Sequence, residues 1–490
     1  MNLNEERIKE KNYSNSIKYL TTNQPTNTIN NVTYGIEGED CLKKPLFTEV
    51  TGHKFEDYYQ SFNDTFPTYL SNCESITIPK KVKRAVSGLP KGVLNKIDKD
   101  KNVAIEKCLD FVSNFTGSIF YEEEEDKWRN LSSKYLDETY RKGKNNTYIY
   151  RYIIKALQYS TISTYPIIEI KKNEYGNESY LSNEFSKSYK LNSYFDTDSL
   201  VSYSLKNEDL ISKKRKKHLE RLSQTIQNPI GKNLLEVYKN IELPTNKQIE
   251  IKASTLIKDD FETKKGKLLT RLNNRKRENI KDFKNKSFVE DNIKQFNYLT
   301  KNGFFMPSIG DLKSGGRVVD SFTLMSSWIR ELVIIDGEKI VEVDFKALHP
   351  NLAMKIYNGS TKFIKHQDLA NTLGITLQEV KREHVSFFNR RISGMKRSPL
   401  YDYYNQYESE LLKNIIADKK GSKYRHKVTS MKLFQLEVQI MTEVIQRLNK
   451  QEIYVLYIYD ALGCKESEVD IVKKTMNEVI LEFGVSTVAE

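Results

Sequence analysis

Lys339-Ile-Val-Glu-Val-Asp-Phe-Lys-Ala-Leu-His-Pro-Asn-Leu352 is the stretch on which the reading of this chain turns. Ile340-Val-Glu-Val343 is β-branched and apolar enough to predict a strand, entered through the turn formers Asp336-Gly337. Asp344 then stands at the strand's end, and the chain leaves through a short turn into an expected helix. A carboxylate at a strand end, followed by the backbone carbonyl of Phe345, is an oxygen-rich position of the kind that hard cations such as Mg²⁺ prefer.

Working outward, a second carboxylate has a similar setting. Ile453-Tyr-Val-Leu-Tyr-Ile-Tyr459 predicts a buried strand, Asp460 follows it, and Ala461-Leu-Gly-Cys464 begins the return. Either aspartate alone reads as an ordinary turn residue. If the two strands are neighbours, both carboxylates lie at one sheet edge and could share two metal ions, the arrangement that clamps the attacking and leaving oxygens in phosphoryl displacement. Glu342, two residues before Asp344 on the same strand face, reads equally as a third ligand or a surface acid.

The chain has 490 residues, so two or three domains are expected. Its formal net charge is +13, and the stretch 201–300 holds 23 Lys or Arg against 13 Asp or Glu, a local net of +10. That concentration points to a polyanion. Its densest cations are Lys213, Lys214, Arg215, Lys216 and Lys217, then Lys264, Lys265, Arg271, Arg275, Lys276 and Arg277. Leu268, Leu269 and Leu272 between them have helical spacing. A solvated helix face is the competing reading, and the absence of interleaved aromatics there argues against base stacking. The 30 tyrosines follow AT-rich codon usage as readily as function. Four cysteines without CxxC spacing predict neither zinc nor disulfides and suit a reducing compartment. No apolar run approaches a membrane span, and no signal peptide is legible, so a cytoplasmic location without membrane contact is expected. Pro79-Lys-Lys-Val-Lys-Arg84 resembles a nuclear-import signal, a match that Lys-rich chains produce by chance.

With these residues in place, a resemblance emerges. Asp344-Phe-Lys-Ala-Leu-His-Pro350 resembles motif A of DNA polymerases, whose family B form is Asp-x-x-x-Leu-Tyr-Pro. Tyr457-Ile-Tyr-Asp-Ala-Leu-Gly463 resembles motif C of family A DNA polymerases and phage-type single-subunit RNA polymerases, with Tyr459 and Ala461 in place of the usual flanking His and acid. Gly316-Arg317, Arg330 and the motif A segment together are similar to polymerase-like proteins of bacterial plasmids and phages. The resemblance covers about residues 312–485.

It implies a nucleotidyltransferase of phage or plasmid replication using two Mg²⁺ ions, with Mn²⁺ as a substitute, held by Asp344, Asp460 and the Phe345 carbonyl. Partners would be a nucleic-acid template and primer and nucleoside triphosphates. DNA synthesis is favoured; an RNA polymerase and a catalytically degenerate, nucleic-acid-binding palm are the alternatives. His349 would meet the sugar of the incoming nucleotide. Lys381 or Arg382, on the helix expected from Gln378, would hold the triphosphate, although the arginine and tyrosine that normally flank that lysine are Leu377 and Asn389; a solvated basic helix is the alternative. Arg317 and Arg330 would grip template or triphosphate, or form internal salt bridges.

The expected fold is α+β of the polymerase right-hand type, an antiparallel palm sheet with helices on one face and a mostly helical N-terminal region. The expected divisions are an arm at 1–45, a domain of unknown role at 46–204, a basic helical thumb-like region at 205–300, palm at 301–360, fingers-like helices at 361–430 and palm again at 431–490. The turn-rich Met306–Gly316 stretch reads as a linker. Phe434, Val438, Met441, Ile445 and Leu448 predict a core-facing helix, and Ser467-Glu-Val-Asp470 a capping box opening the last helix.

Overall fold

A computed structural model describes residues 74–490 except 122–123, 142–147, 161–164, 179–185, 197–198, 273–281, 283 and 301–304. The expected arm at 1–45 lies outside the described residues, as do Arg275, Lys276 and Arg277. All described residues belong to one compact unit, His53–Glu490. No helix among them is long and apolar enough to cross a membrane.

The elements used below are, in chain order, β1 (Ser75–Pro79), α1 (Lys80–Ser87), α2 (Lys101–Thr116), β2 (Leu200–Ser204), α3 (Glu208–Gln227), α4 (Pro229–Val237) and β3 (Ile241–Glu242). There follow β4 (Ile334–Ile335), β5 (Glu338–Asp344), α5 (Leu348–Ile356), α6 (Leu377–Phe387), α7 (Val428–Asn449), β6 (Leu456–Ile458), β7 (Ala461–Lys465) and α8 (Val469–Glu482). The chain is a mixed helix-and-sheet protein with several antiparallel sheets. Its largest sheet has five strands in the order β6-β7-β5-β4-β3, every neighbouring pair antiparallel.

Local sequence explains the centre of this sheet. Asp336 and Gly337 both take positive φ, at 51° and 79°, as a two-residue hairpin turn between β4 and β5 needs. β5 then pairs with β7 over five residues, from Ile340 opposite Lys465 to Asp344 opposite Ala461. Ala347, at φ 48°, turns the chain out of the sheet into α5, where Pro350 sits in the first turn and so disrupts little.

Two hydrophobic clusters form the core. One runs from Ile76 to Ile211 around α2; the other surrounds the five-stranded sheet and contains Trp328, Tyr238, Tyr404 and Tyr457, all fully buried. α3 belongs to both, giving Leu210 and Ile211 to the first and Leu219 and Leu222 to the second.

Several expectations from sequence need correction. The expected strand Ile453–Tyr459 is a strand only at Leu456–Ile458. Before it, the buried Asn233 side chain of α4 takes both Val455 backbone groups, donating to its carbonyl at 2.6 Å and accepting from its N–H at 3.1 Å. The 205–300 stretch is not helical throughout: β3 joins the central sheet, and Leu268–Thr270, expected as helix, pairs in parallel with Lys286–Phe288. Met306–Gly316 is not a linker, because Met306 is buried and Ser308–Ile309 pairs with Val318–Val319 in a packed hairpin. Ser467 does not cap α8. It donates its hydroxyl and backbone N–H to Glu338 instead, at 3.0 and 3.1 Å. The import-like segment is folded, its proline in β1 and its cations in α1.

Candidate active site

β5 and β7 are immediate neighbours, so the two aspartates identified in the sequence meet at one sheet edge. Asp344 ends β5 opposite Ala461, and Asp460 occupies the turn between β6 and β7. The Phe345 N–H donates to the Asp460 carbonyl at 3.3 Å, which fixes one backbone beside the other. Phe345 itself is buried and pairs with Ala489. Asp344 keeps an exposed surface, yet crowding by the protein strips part of its hydration, and this, followed by the negative charge of Asp460, pushes its carboxyl up to about 7. Burial and then the charge of Glu437 raise Asp460, against the opposing pull of His349 and Arg317. Two carboxylates that resist ionising together are held where a cation would relieve both.

Tyr459, the other residue of the β6–β7 turn, has φ 61°, a conformation that costs a non-glycine residue about 1 kcal/mol or more. The strained turn brings its ring to 4.8 Å from the Arg317 guanidinium, which also lies 3.7 Å over Phe434.

Arg317 is further held by Glu437, a fully buried carboxylate on α7, through its Nε at 2.8 Å and Nη2 at 2.5 Å. This is the bidentate fork that guanidinium geometry favours. His349 Nε2 lies 2.7 Å from the same carboxylate and 3.1 Å from Arg317 Nη2. Burial alone would raise the Glu437 carboxyl; the hydrogen bond from His349 and the charge of Arg317 outweigh it and hold it below the usual range. One acid therefore positions two residues that the sequence proposed separately. Sequence reasoning took the face of α7 as core and missed Glu437 and Phe434. An acid among Leu433, Ile440, Met441 and Val444, all buried, was the available signal.

The glycines before Arg317 have a physical reason. Gly315 has φ 68°, and a Cβ there would lie 2.4 Å from Phe434 Cβ, so the hairpin approaches α7 closely enough to deliver Arg317 to Glu437. Gly315→Ala is expected to cost about 2–4 kcal/mol, combining left-handed backbone strain with overpacking. A denaturant titration reads this directly.

Arg330 is bound up internally. Its Nε donates to Glu342 at 2.6 Å and its Nη1 to the Phe322 and Met325 carbonyls at 2.7 and 3.1 Å. Lys264 Nζ takes the other Glu342 oxygen at 3.1 Å. Both oxygens of Glu342 are thus engaged by cations. Among the described residues, no group of three or more His, Cys, Asp or Glu is arranged to hold a metal ion. Arg330→Met is expected to lower stability by about 3 kcal/mol, since it strands a half-buried carboxylate and two carbonyls; thermal unfolding monitored by circular dichroism checks it.

Lys381 and Arg382 are exposed on α6, whose buried face is Val380, His384 and Phe387. No hydrogen bond or ion pair among the described residues joins them to Asp344 or Asp460. The Lys213–Lys217 cluster is largely tied into the N-terminal part of the unit. Lys213 pairs with Asp209, Lys214 with the buried Asp110 at 2.7 Å, and Arg215 with Glu74; Lys217 bonds Thr139 and lies over Tyr135. Lys216 and Lys265 are exposed, and Arg271 donates to Ser254 at 3.1 Å.

No protein-family model and no curated protein matches the chain. Among solved structures it is similar to the POL domain of Pol1 from M. smegmatis in complex with DNA primer-template and dNTP, at 10% identity and a TM-score of 0.32, over 56% of this chain and 70% of that one.

Proposed function

We propose that the chain is a template-directed nucleotidyltransferase of the polymerase type, with the five-stranded sheet as its palm and DNA synthesis as its activity. The observation that carries this is the meeting of Asp344, at the end of β5, with Asp460, in the turn that leads into the neighbouring β7, with Arg317 and His349 held beside them by Glu437. The donor set suits a divalent metal, because two hard carboxylates with raised affinity for protons have charge to share with a cation. Asp344, Asp460 and the Phe345 carbonyl would hold it, and bound Mg²⁺ would supply charge stabilisation at the attacking and leaving oxygens of an in-line displacement.

The remaining work falls to residues of this chain. Arg317, neutralised by Glu437 and lying against the rings of Phe434 and Tyr459, presents a fixed planar group suited to a phosphate or a base. His349, one turn along from Asp344 and locked by Glu437, stands where it would read the sugar of the entering nucleotide. The exposed Lys381 and Arg382 would meet the triphosphate on its approach from solvent.

A second reading, a palm that binds nucleic acid without catalysis, is favoured by the engagement of Glu342, which leaves two acidic side chains rather than three. Primer extension by the wild-type protein with Mg²⁺, supplied with dNTPs or NTPs separately on primed and unprimed templates, distinguishes these. Incorporation of dNTPs supports the proposal, and incorporation of NTPs alone would move it to RNA synthesis. Binding without any incorporation leaves the second reading.

A further inference from the structure

The basic cluster of α3 is spent largely on internal ties, but a different cationic surface is not. Residues 80–101 contain eight Lys or Arg against two Asp. Both acids are engaged elsewhere: Asp98 pairs with the buried Lys107 at 3.1 Å, and Asp100 caps α2 through the Asn102 N–H. On α1, Val82 and Val86 face the core, while Lys80, Lys81, Lys83 and Arg84 are exposed on a single short helix without an acid. Among the described residues no carboxylate forms an ion pair with Lys80, Lys83 or Arg84.

Aromatic rings accompany these cations. Tyr165 and Tyr194 stack on each other with centroids 4.9 Å apart and planes 28° apart, although they are 61% and 48% exposed. The buried Phe195 packs edge-on against Tyr194 at 5.0 Å, so the pair is anchored to the core. Lys81 Nζ lies 4.6 Å over the Tyr194 ring, and Lys83 Nζ lies 5.3 Å from the centre of the Tyr203 ring. Apolar ring faces left in water forfeit the free energy of burial, and here they are presented beside a helix of positive charge. A ligand that is both polyanionic and rich in flat π-faces matches both features at once. Duplex nucleic acid hides its base faces in its own stack, whereas a single strand offers them.

We infer that the Tyr165–Tyr194 pair and the cationic face of α1 form a binding site for single-stranded nucleic acid, separate from the carboxylate pair. Bases stack on the tyrosines while Lys80, Lys83 and Arg84 take phosphates. The site does not require the polymerase reading, since it is tested by binding alone.

The test uses the full chain, without nucleotides, and a fluorescein-labelled oligothymidylate of about 12 nucleotides, within the range one compact surface spans. Fluorescence anisotropy is read for the wild type, for Tyr165→Ala with Tyr194→Ala, for the corresponding double Phe variant, and for Lys83→Ala with Arg84→Ala. The double Ala variant is expected to bind the single strand about tenfold or more weakly and a duplex of equal length unchanged, with the Phe variant retaining affinity. The charge variant is expected to flatten the slope of log affinity against log salt by about 1.4, for two lost phosphate contacts. Photocrosslinking with 5-iodouracil in the oligonucleotide should label Tyr165 or Tyr194, which localises the site even where the palm also binds. Unchanged affinity in the double Ala variant, an equal loss on duplex, or crosslinks confined to the palm would overturn the inference. So would binding to anionic phospholipid vesicles that depends on these residues while oligonucleotide binding does not. All four substituted side chains lie at the surface, and matching thermal unfolding of each variant verifies that folding is intact.

Discussion

Replacing Asp344 or Asp460 by Asn is expected to abolish nucleotide addition while raising the melting temperature of the metal-free protein. Each substitution removes one of two carboxylates whose ionisation the fold disfavours, through loss of hydration first and then through a neighbouring negative charge, that of Asp460 at Asp344 and that of Glu437 at Asp460. The sign follows from proton linkage. With its carboxyl held up to about 7, folded Asp344 keeps a proton that the unfolded chain releases near the ordinary carboxylate value of 3.8. Stability therefore falls as pH rises from about 4 to about 7, and the Asn variants should flatten that decline. Activity should move the opposite way. Losing one metal-holding oxygen pair is worth several kcal/mol in such sites, a rate loss of about three orders of magnitude or more. Thermal unfolding against pH, alongside single-turnover extension, checks both halves. A structural role would give a variant that is less stable and less active together, whereas stability stored against function is the mark of a working site.

Glu437→Ala should have the next largest effect. It leaves Arg317, mostly buried, without its counter-charge, and frees His349 from the oxygen they share. Removing one member of a buried ion pair costs about 3–5 kcal/mol, so the variant should melt several degrees lower. Its functional consequence should be separable from that loss. At a temperature where the variant is folded, incorporation should fall about a hundredfold or more, and discrimination between dNTPs and NTPs should narrow because His349 is no longer held. Glu437→Gln keeps one acceptor oxygen for Arg317 Nη2 and His349 but turns an amide N–H toward Arg317 Nε and loses the charge, and it is expected to restore most of the sugar discrimination and only part of the rate. Steady-state kcat and KM for both nucleotide classes, measured on the two variants, supply the comparison. Equal discrimination in Glu437→Ala and wild type would show that His349 does not read the sugar.

How much of this was legible in the residues depended on the range over which each signal acts. β5 was readable because Asp-Gly, a β-branched run and a terminal Asp are local features, and its partner followed once Asp460 was seen after another apolar run. The length of β6 was not readable. Its start is set by Asn233, more than two hundred residues earlier, whose side chain claims the Val455 backbone. The hairpin at Met306–Gly316 looked like a linker because glycines report only that a backbone bends. That Gly315 bends to pass Phe434 is a fact of tertiary packing. Leu268 and Leu269 misled for a related reason: a three-residue strand is too short for periodicity to declare itself. The charge of α3 was legible as charge but not as partnership, since Asp110, Glu74 and Thr139 lie far off in sequence. Glu437 was the most informative residue overlooked, an acid placed where the helix spacing demanded an apolar side chain.

The measurement closest to the centre of the account is single-nucleotide extension of a labelled primer on its template with Mg²⁺, run side by side for wild type, Asp344→Asn and Asp460→Asn. The account predicts extension by the wild type and none above background by either variant, with all three proteins folded. Extension that survives in either variant would contradict the assignment of Asp344 and Asp460 as the catalytic pair.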